Sequence, residues 1–208
     1  MILLPGIIAS ARRPSIPFAF DPGVTAANIV LSTTVTARDT ATRAASSDGF
    51  SSSFCSASIS VNSKRYMEFL VTELASIMGV IFGVRPTADV PLNLNTYVGA
   101  GSGQTFGVDA NGSSYDPVFG QNGLGFGDMV NGDRHRLAID VPAGLLWFGR
   151  NSAWFSGANP ATGVGATYRF TPGTVFSLGV SFYRATEGGV ICTSPATVAG
   201  PVPAGFSV

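Results

Sequence analysis

Apolar and polar residues alternate along short stretches of this chain, and glycine, proline or asparagine breaks the alternation every few residues. The clearest run is Arg136-Leu137-Ala138-Ile139-Asp140, whose period of two predicts a strand with one buried face. Val141-Pro142-Ala143-Gly144 ends it, because proline presets φ and lacks an N–H while glycine admits positive φ. Leu145 to Arg150 predicts the next strand, Asn151-Ser152 a turn, and Ala153-Trp154-Phe155 a return.

The rest of the chain has the same grain. Short strands are expected at 29–35, 50–54, 56–61, 96–99, 105–108, 113–115, 174–183 and 190–193. Asp109-Ala110-Asn111-Gly112 lies between apolar runs and predicts a hairpin, since Asn-Gly suits a tight primed turn. Residues 38–47, 86–95 and the glycine-dense 120–128 predict connections, and Gly188-Gly189 a turn. Residues 64–78 are ambiguous. Tyr66, Leu70, Leu74 and Ile77 fit a helical stripe, whereas a strand over 65–72 would have 78–84 as its partner.

Residues 1–28 predict an extended arm. Pro5, Pro14, Pro17 and Pro22 oppose both a helix and a central strand. Ile2, Leu3, Leu4, Ile7, Ile8, Phe18 and Phe20 make the arm too apolar for a free linker, so it is expected to dock and to drive assembly. The first nine residues lack the basic lead of a signal peptide, and Pro5 splits their apolar run. No stretch approaches the roughly 18 apolar residues of a membrane helix; the apolar residues at 77–84 stop at Arg85.

Composition sharpens this picture in two ways. Twenty-six glycines and thirteen prolines without a fixed period suit a turn-rich all-β domain, and a hydrophobic fraction of 45% excludes general disorder. Only 12% of residues are charged, with 12 of each sign, about half the usual share of a soluble domain. Such a surface is either rich in neutral polar groups or covered by partners, and the second reading is preferred. The neutral balance opposes nucleic-acid binding, which needs clustered Lys and Arg.

Chemistry is sparse. His135 is the single histidine, sits between two arginines, and has no Ser or Cys motif beside it, so it reads as a surface turn residue. No Gly-x-Ser-x-Gly elbow or phosphate loop occurs. Asp109, Asn111, Asp116, Asp128 and Asp133 could offer oxygens to calcium but miss the EF-hand spacing, and they read as turn caps. Cys55 and Cys192 form no metal signature, and they are expected to be reduced and buried. No catalytic residue, cofactor or metal is expected. Trp147 reads as sheet packing. Trp154, with Asn151 and Asn159 close in sequence, could either stack a ligand or pack onto the fold.

The central stretch resembles that of SPRY domains. The shared pattern is Gly132-Asp133, an aliphatic strand ending at Asp140, then Gly144-Leu145-Leu146-Trp147-Phe148, Asn151 and Trp154; Ser152 departs from it, standing where the family has glycine. The likeness runs over roughly 45–208, and the 157–163 loop is similar to one in SPRY-like proteins of bacteriophages and bacteria. It implies an all-β, two-sheet antiparallel sandwich, a bent jelly roll, over 29–208 behind the arm, and it decides 65–72 as a strand, because the family has a basic residue, an aromatic pair and Glu where Arg65, Tyr66 and Glu68 stand.

It also implies a non-enzymatic virion protein, made in the host cytoplasm. The expected place is a capsid decoration or a tail-associated module, fastened to other virion proteins by the arm and forming a homo-oligomer, with a trimer favoured. The alternative is a carbohydrate-binding or host-receptor-binding adhesin. Its ligand, a host surface glycan or protein, would meet loops carrying Asn111, Tyr115, Asn151, Trp154 and Asn159. Membrane insertion is not expected.

Overall fold

The computed structural model describes residues 18–32, 40–44, 49–76, 78–90, 94–101, 103–116, 120–124 and 126–208. They form fifteen strands: β1 (Phe20–Thr25), β2 (Ile29–Leu31), β3 (Thr40–Arg43), β4 (Ser51–Ile59), β5 (Lys64–Glu73), β6 (Val80–Pro86), β7 (Phe106–Asp109), β8 (Ser113–Asp116), β9 (Gly120–Gly123), β10 (Arg134–Asp140), β11 (Leu145–Arg150), β12 (Ala153–Trp154), β13 (Tyr168–Arg169), β14 (Phe176–Phe182) and β15 (Gly188–Cys192). One sheet runs β1-β4-β14-β6-β7-β8-β9. The other runs β12-β11-β10-β5-β15-β3-β2, with β13 added to β11. All the strand pairs are antiparallel.

Period-two alternation builds the core. Met67, Phe69 and Val71 of β5, Leu137 and Ile139 of β10, and Leu146 and Phe148 of β11 point inward from one sheet. Val80, Phe82 and Val84 of β6 and Phe176, Leu178, Val180 and Phe182 of β14 meet them from the other. Phe69 and Phe82 stack across the gap at 5.7 Å. Burying each such side chain contributes about 1.5–3 kcal/mol before ordering is counted.

On the outer face of the seven-stranded sheet, Gly179, Gly83 and Gly107 lie side by side on β14, β6 and β7. A Cβ at Gly83 would meet the Phe106 carbonyl at 2.0 Å, and one at Gly107 the Val98 carbonyl at 2.5 Å. The glycine row lets the 94–100 segment lie on the sheet, where Val98 N–H donates to Ser181 Oγ at 2.7 Å.

Several expectations need correction. The strand adopted over 65–72 is present as β5, Lys64–Glu73, but β6 crosses to the opposite sheet instead of pairing with it. The connections expected at 38–47 and 120–128 contain β3 and β9. Small polar residues hid both: β9 is an edge strand, and β3, between β15 and the edge strand β2, buries Ala41 as its one apolar side chain. The two strands expected over 50–61 are one, β4, and 96–99 is a set of turns held by side chains rather than a strand. Gly188 and Gly189 open β15, and the turn precedes them. Without Cβ atoms, Gly188 clears Thr42 and the Ala41 carbonyl, and Gly189 clears the Leu70 carbonyl and the Phe69 ring.

The arm boundary also moves. Phe18 and Phe20 are buried in the core, and β1 pairs with β4, so the sandwich includes residues from Phe18 onward. Pro22 is accommodated because β1 is an edge strand. Ile2, Leu3, Leu4, Ile7 and Ile8 lie outside the described residues. Cys55 and Cys192 are buried free thiols on opposite sheets, as preferred. His135 is no surface residue. It is buried on the inward face of β10 and stacks on Phe82 at 6.2 Å.

Candidate functional site

The outward residues of β5, β10 and β11 make a polar surface beneath the last segment of the chain. Register sets it. Arg136 faces Glu68 on one side and Gly149 on the other, and Ala138 faces Tyr66 and Trp147. Gly149 lacks the Cβ that would press on Trp154, so the indole folds over the sheet. The Arg136 guanidinium lies 4.4 Å from the Trp154 ring centroid and 5.2 Å from that of Tyr66. Its Nε donates to the Tyr66 hydroxyl at 2.8 Å, and that hydroxyl donates in turn to Glu68.

Glu68 is fully buried and is the hub of the network. Its carboxylate accepts from Ala199 N–H at 2.9 Å, Gly200 N–H at 2.8 Å and Arg134 Nη1 at 2.9 Å. Burial pushes its pKa up. The Ala199 N–H, the Tyr66 hydroxyl, the Gly200 N–H and Arg134 outweigh that push and hold the carboxyl below its ordinary range. Burial, and then the carboxylate, push the Tyr66 phenol up.

At the margin of this surface, Arg134, Asn151, Ser152, Ala199, Gly200 and Pro201 line a cleft of about 230 Å³. Asn151 holds its wall. It adopts φ 50° at the β11–β12 turn, the left-handed region that asparagine tolerates. Its Oδ1 accepts from Arg134 N–H at 2.9 Å, and its Nδ2 donates to Asp133 Oδ1 at 2.7 Å. Asp133 also pairs with Arg150 at 2.5 Å. Ser152 is exposed, and its chain position tolerates serine because Asn151 carries the positive φ.

The five expected ligand residues are divided between the two sheets. Asn151, Trp154 and Asn159 belong to the β11–β12 side, whereas Asn111 and Tyr115 belong to the β7–β8 hairpin. Asn111 Oδ1 accepts from Ser113 N–H at 2.9 Å, and the Tyr115 hydroxyl donates to Asp109 at 2.8 Å. Asn159 Oδ1 accepts from Ala161 N–H at 3.1 Å and caps a short 3-10 turn. Trp147 packs on the sheet as expected and donates Nε1–H to the Val164 carbonyl at 3.0 Å, fastening the same loop. Trp154 is half-buried with Arg136 over its ring, so that face is closed to a stacking sugar.

Sequence reasoning missed Tyr66, Glu68, Arg134 and Arg136. Their signal was present: charged or aromatic residues at period two on strands that both alternate with a buried face. Among the described residues, no group of His, Cys, Asp and Glu is gathered as for a metal ion.

No family model matches this sequence, and no curated protein matches it. Solved structures do. The SPRY domain of human HERC1 superposes with TM-score 0.63 at 17% identity, covering 85% of this chain and 99% of that one. A human SPRY domain gives TM-score 0.58 at 19% identity, covering 79% and 94%. The NEUZ (NHR) domain of Neuralized from Drosophila melanogaster gives 0.55 at 13%, covering 88% and 95%. At these identities the likeness is one of architecture, and the chain is an antiparallel β-sandwich with a SPRY-like fold.

Proposed function

We infer that this chain is a non-enzymatic binding module whose partner is a protein, and that it is carried on a bacteriophage particle as a capsid decoration or tail-associated part. The cleft bounded by Arg134, Asn151, Ser152 and the 199–201 backbone carries this reading. At about 230 Å³ it is sized for one side chain or a short loop tip, below the usual range of small-molecule pockets. Its one charge is a guanidinium, which suits a carbonyl or carboxylate of a partner segment. The SPRY-like fold, which serves elsewhere as a protein-interaction module, supports a protein partner.

The virion setting rests on the low charge and on the apolar stretch Ile2, Leu3, Leu4, Ile7 and Ile8. That stretch would fasten the module to other virion proteins, and a closed homotrimer is the expected assembly. Immunogold imaging of purified particles tests the setting; a chain absent from them overturns it. Ser152→Trp, at an exposed position that fills the cleft, tests the site. Incorporation into particles should persist while capture of the bound partner is lost. Unchanged partner capture removes the cleft from the reading.

A further inference from the structure

The segment 194–208 contacts the outer face of the eight-stranded sheet as a peptide contacts a receptor. Its attachments are main-chain groups meeting side chains of the sheet. Ala199 and Gly200 N–H donate to Glu68, the Pro201 carbonyl accepts from Arg136 Nη2 at 3.0 Å, and the Thr197 carbonyl from Arg134 Nη1 at 3.2 Å. Farther on, Ser207 and Lys64–Tyr66 exchange backbone hydrogen bonds as one isolated parallel bridge, and the Val208 carbonyl accepts from Arg65 at 2.9 Å. Phe206 meets Trp147 edge-on at 6.1 Å.

Burial across this contact is lopsided. Tyr66, Glu68, Arg136 and Trp147 are fully buried, whereas nine of the fifteen residues from 194 to 208 are exposed and only Val198, Phe206 and Val208 pack apolar side chains against the sheet. The groove depends on the segment for its cover, and the segment anchors itself there by three apolar side chains while most of its residues face solvent. The fit is also incomplete, since Arg136 Nη1 is buried with no hydrogen-bond partner. A turn at Ser194–Val198, with Pro195, Ala196 and Thr197 exposed, leads into the segment and forms the natural hinge.

We propose that the face formed by Lys64, Tyr66, Glu68, Arg136, Trp147 and Trp154 is a peptide-binding groove, that segment 194–208 is its built-in occupant, and that the occupant is exchanged between copies of this chain. A second copy carries the complementary sequence, so its segment makes the same bonds in the same groove. Exchange of an identical element through a hinge is a low-cost route to closed assemblies. Within one copy the segment competes at an effective concentration on the order of millimolar, so the unexchanged form dominates when the protein is dilute. Gly200 makes the occupant selective. A Cβ there would lie 2.7 Å from the Tyr66 hydroxyl and 2.9 Å from Glu68.

The test uses full-length Gly200→Val and a fluorescent peptide of residues 194–208 with the native sequence. Expected are a folded variant by circular dichroism, saturable peptide binding, and at least tenfold weaker binding to the unaltered chain, whose groove is occupied. Adding Glu68→Gln should weaken peptide binding to the open variant by a further tenfold. The unaltered chain refolded at high concentration should give larger assemblies by light scattering than Gly200→Val refolded beside it, which keeps any association made through Ile2, Leu3, Leu4, Ile7 and Ile8. A folded Gly200→Val that ignores the peptide overturns the groove. An unfolded one makes the segment integral to the fold and overturns it equally. Refolded protein no larger than Gly200→Val overturns exchange.

Discussion

Arg136 and Trp154 sit face to side on the outside of the sheet, with the guanidinium 4.4 Å from the ring centroid, although they come from strands separated by a third. A cation over an indole contributes about 0.5–2 kcal/mol, more when desolvated. Trp154→Ala should therefore lower unfolding stability by about 2 kcal/mol, counting the lost packing. Trp154→Phe keeps a ring under the guanidinium and should lose about half as much. Urea denaturation of both variants checks the order; equal losses would show that the ring face contributes nothing.

His135 makes stability depend on acid. Burial drives its pKa from 6.5 down to about 3, and the nearby Arg150 charge adds to the fall. The unfolded chain therefore binds a proton between those values that the folded chain refuses. Stability from this group is complete above pH 6.5 and is lost as pH falls toward 3. His135→Phe should remove that part of the acid loss while preserving the stack on Phe82. Denaturation midpoints measured at pH 7 and pH 4 should differ less in the variant than in the native protein.

Asp109 acts in the opposite sense. Burial raises its carboxyl from 3.8 to about 6, despite hydrogen bonds from Tyr115, Ser113 and Asn111. The folded state holds a proton that the unfolded state releases, so this contribution fades as pH rises from about 4 through 6. In the His135→Phe background, stability should decline across that interval. Asp109→Asn should flatten the decline, at the expense of one acceptor in the hairpin. A profile unchanged by Asp109→Asn would remove this carboxyl as its source.

Gly83→Ala tests the glycine row. The added methyl would stand 2.0 Å from the Phe106 carbonyl, a backbone atom that cannot turn aside. The expected loss is at least the 1–3 kcal/mol typical of overpacking, about the upper end of that range. Gly123→Ala is the control, since nothing lies within 4 Å of its added methyl. Thermal unfolding should separate the two variants clearly.

The fold was legible where one face of a strand is buried and apolar. Leu137, Ile139, Leu146 and Phe148 announce β10 and β11, and the motif around them points to the sandwich. Strand β3 was not legible, because Thr-Ala-Thr-Arg carries no apolar alternation. Its Arg43 is buried by donating to the Gly49, Phe182 and Tyr183 carbonyls. The site was legible in part. Asn151 and Trp154 were named, but their partners Arg136 and Glu68 come from strands whose pairing no local pattern specifies. His135 was misread because its neighbours Arg134 and Arg136 are charged; alternation places those two outward and the imidazole inward.

Strands β14 and β15 lie inside the sheets, β14 between β4 and β6 and β15 between β5 and β3, although they are the last two in the chain. While the protein is being synthesised, every earlier strand can be complete and each sheet is still split in two. The four unpaired edges stay open until residues 176–192 have left the ribosome. Closure is then a late, long-range event, of the kind that makes β-rich chains fold slowly and leaves them open to misassembly. A ribosome stalled before residue 176 should hold a protease-sensitive chain, and one stalled far enough beyond residue 192 to free β15 should hold a protected one.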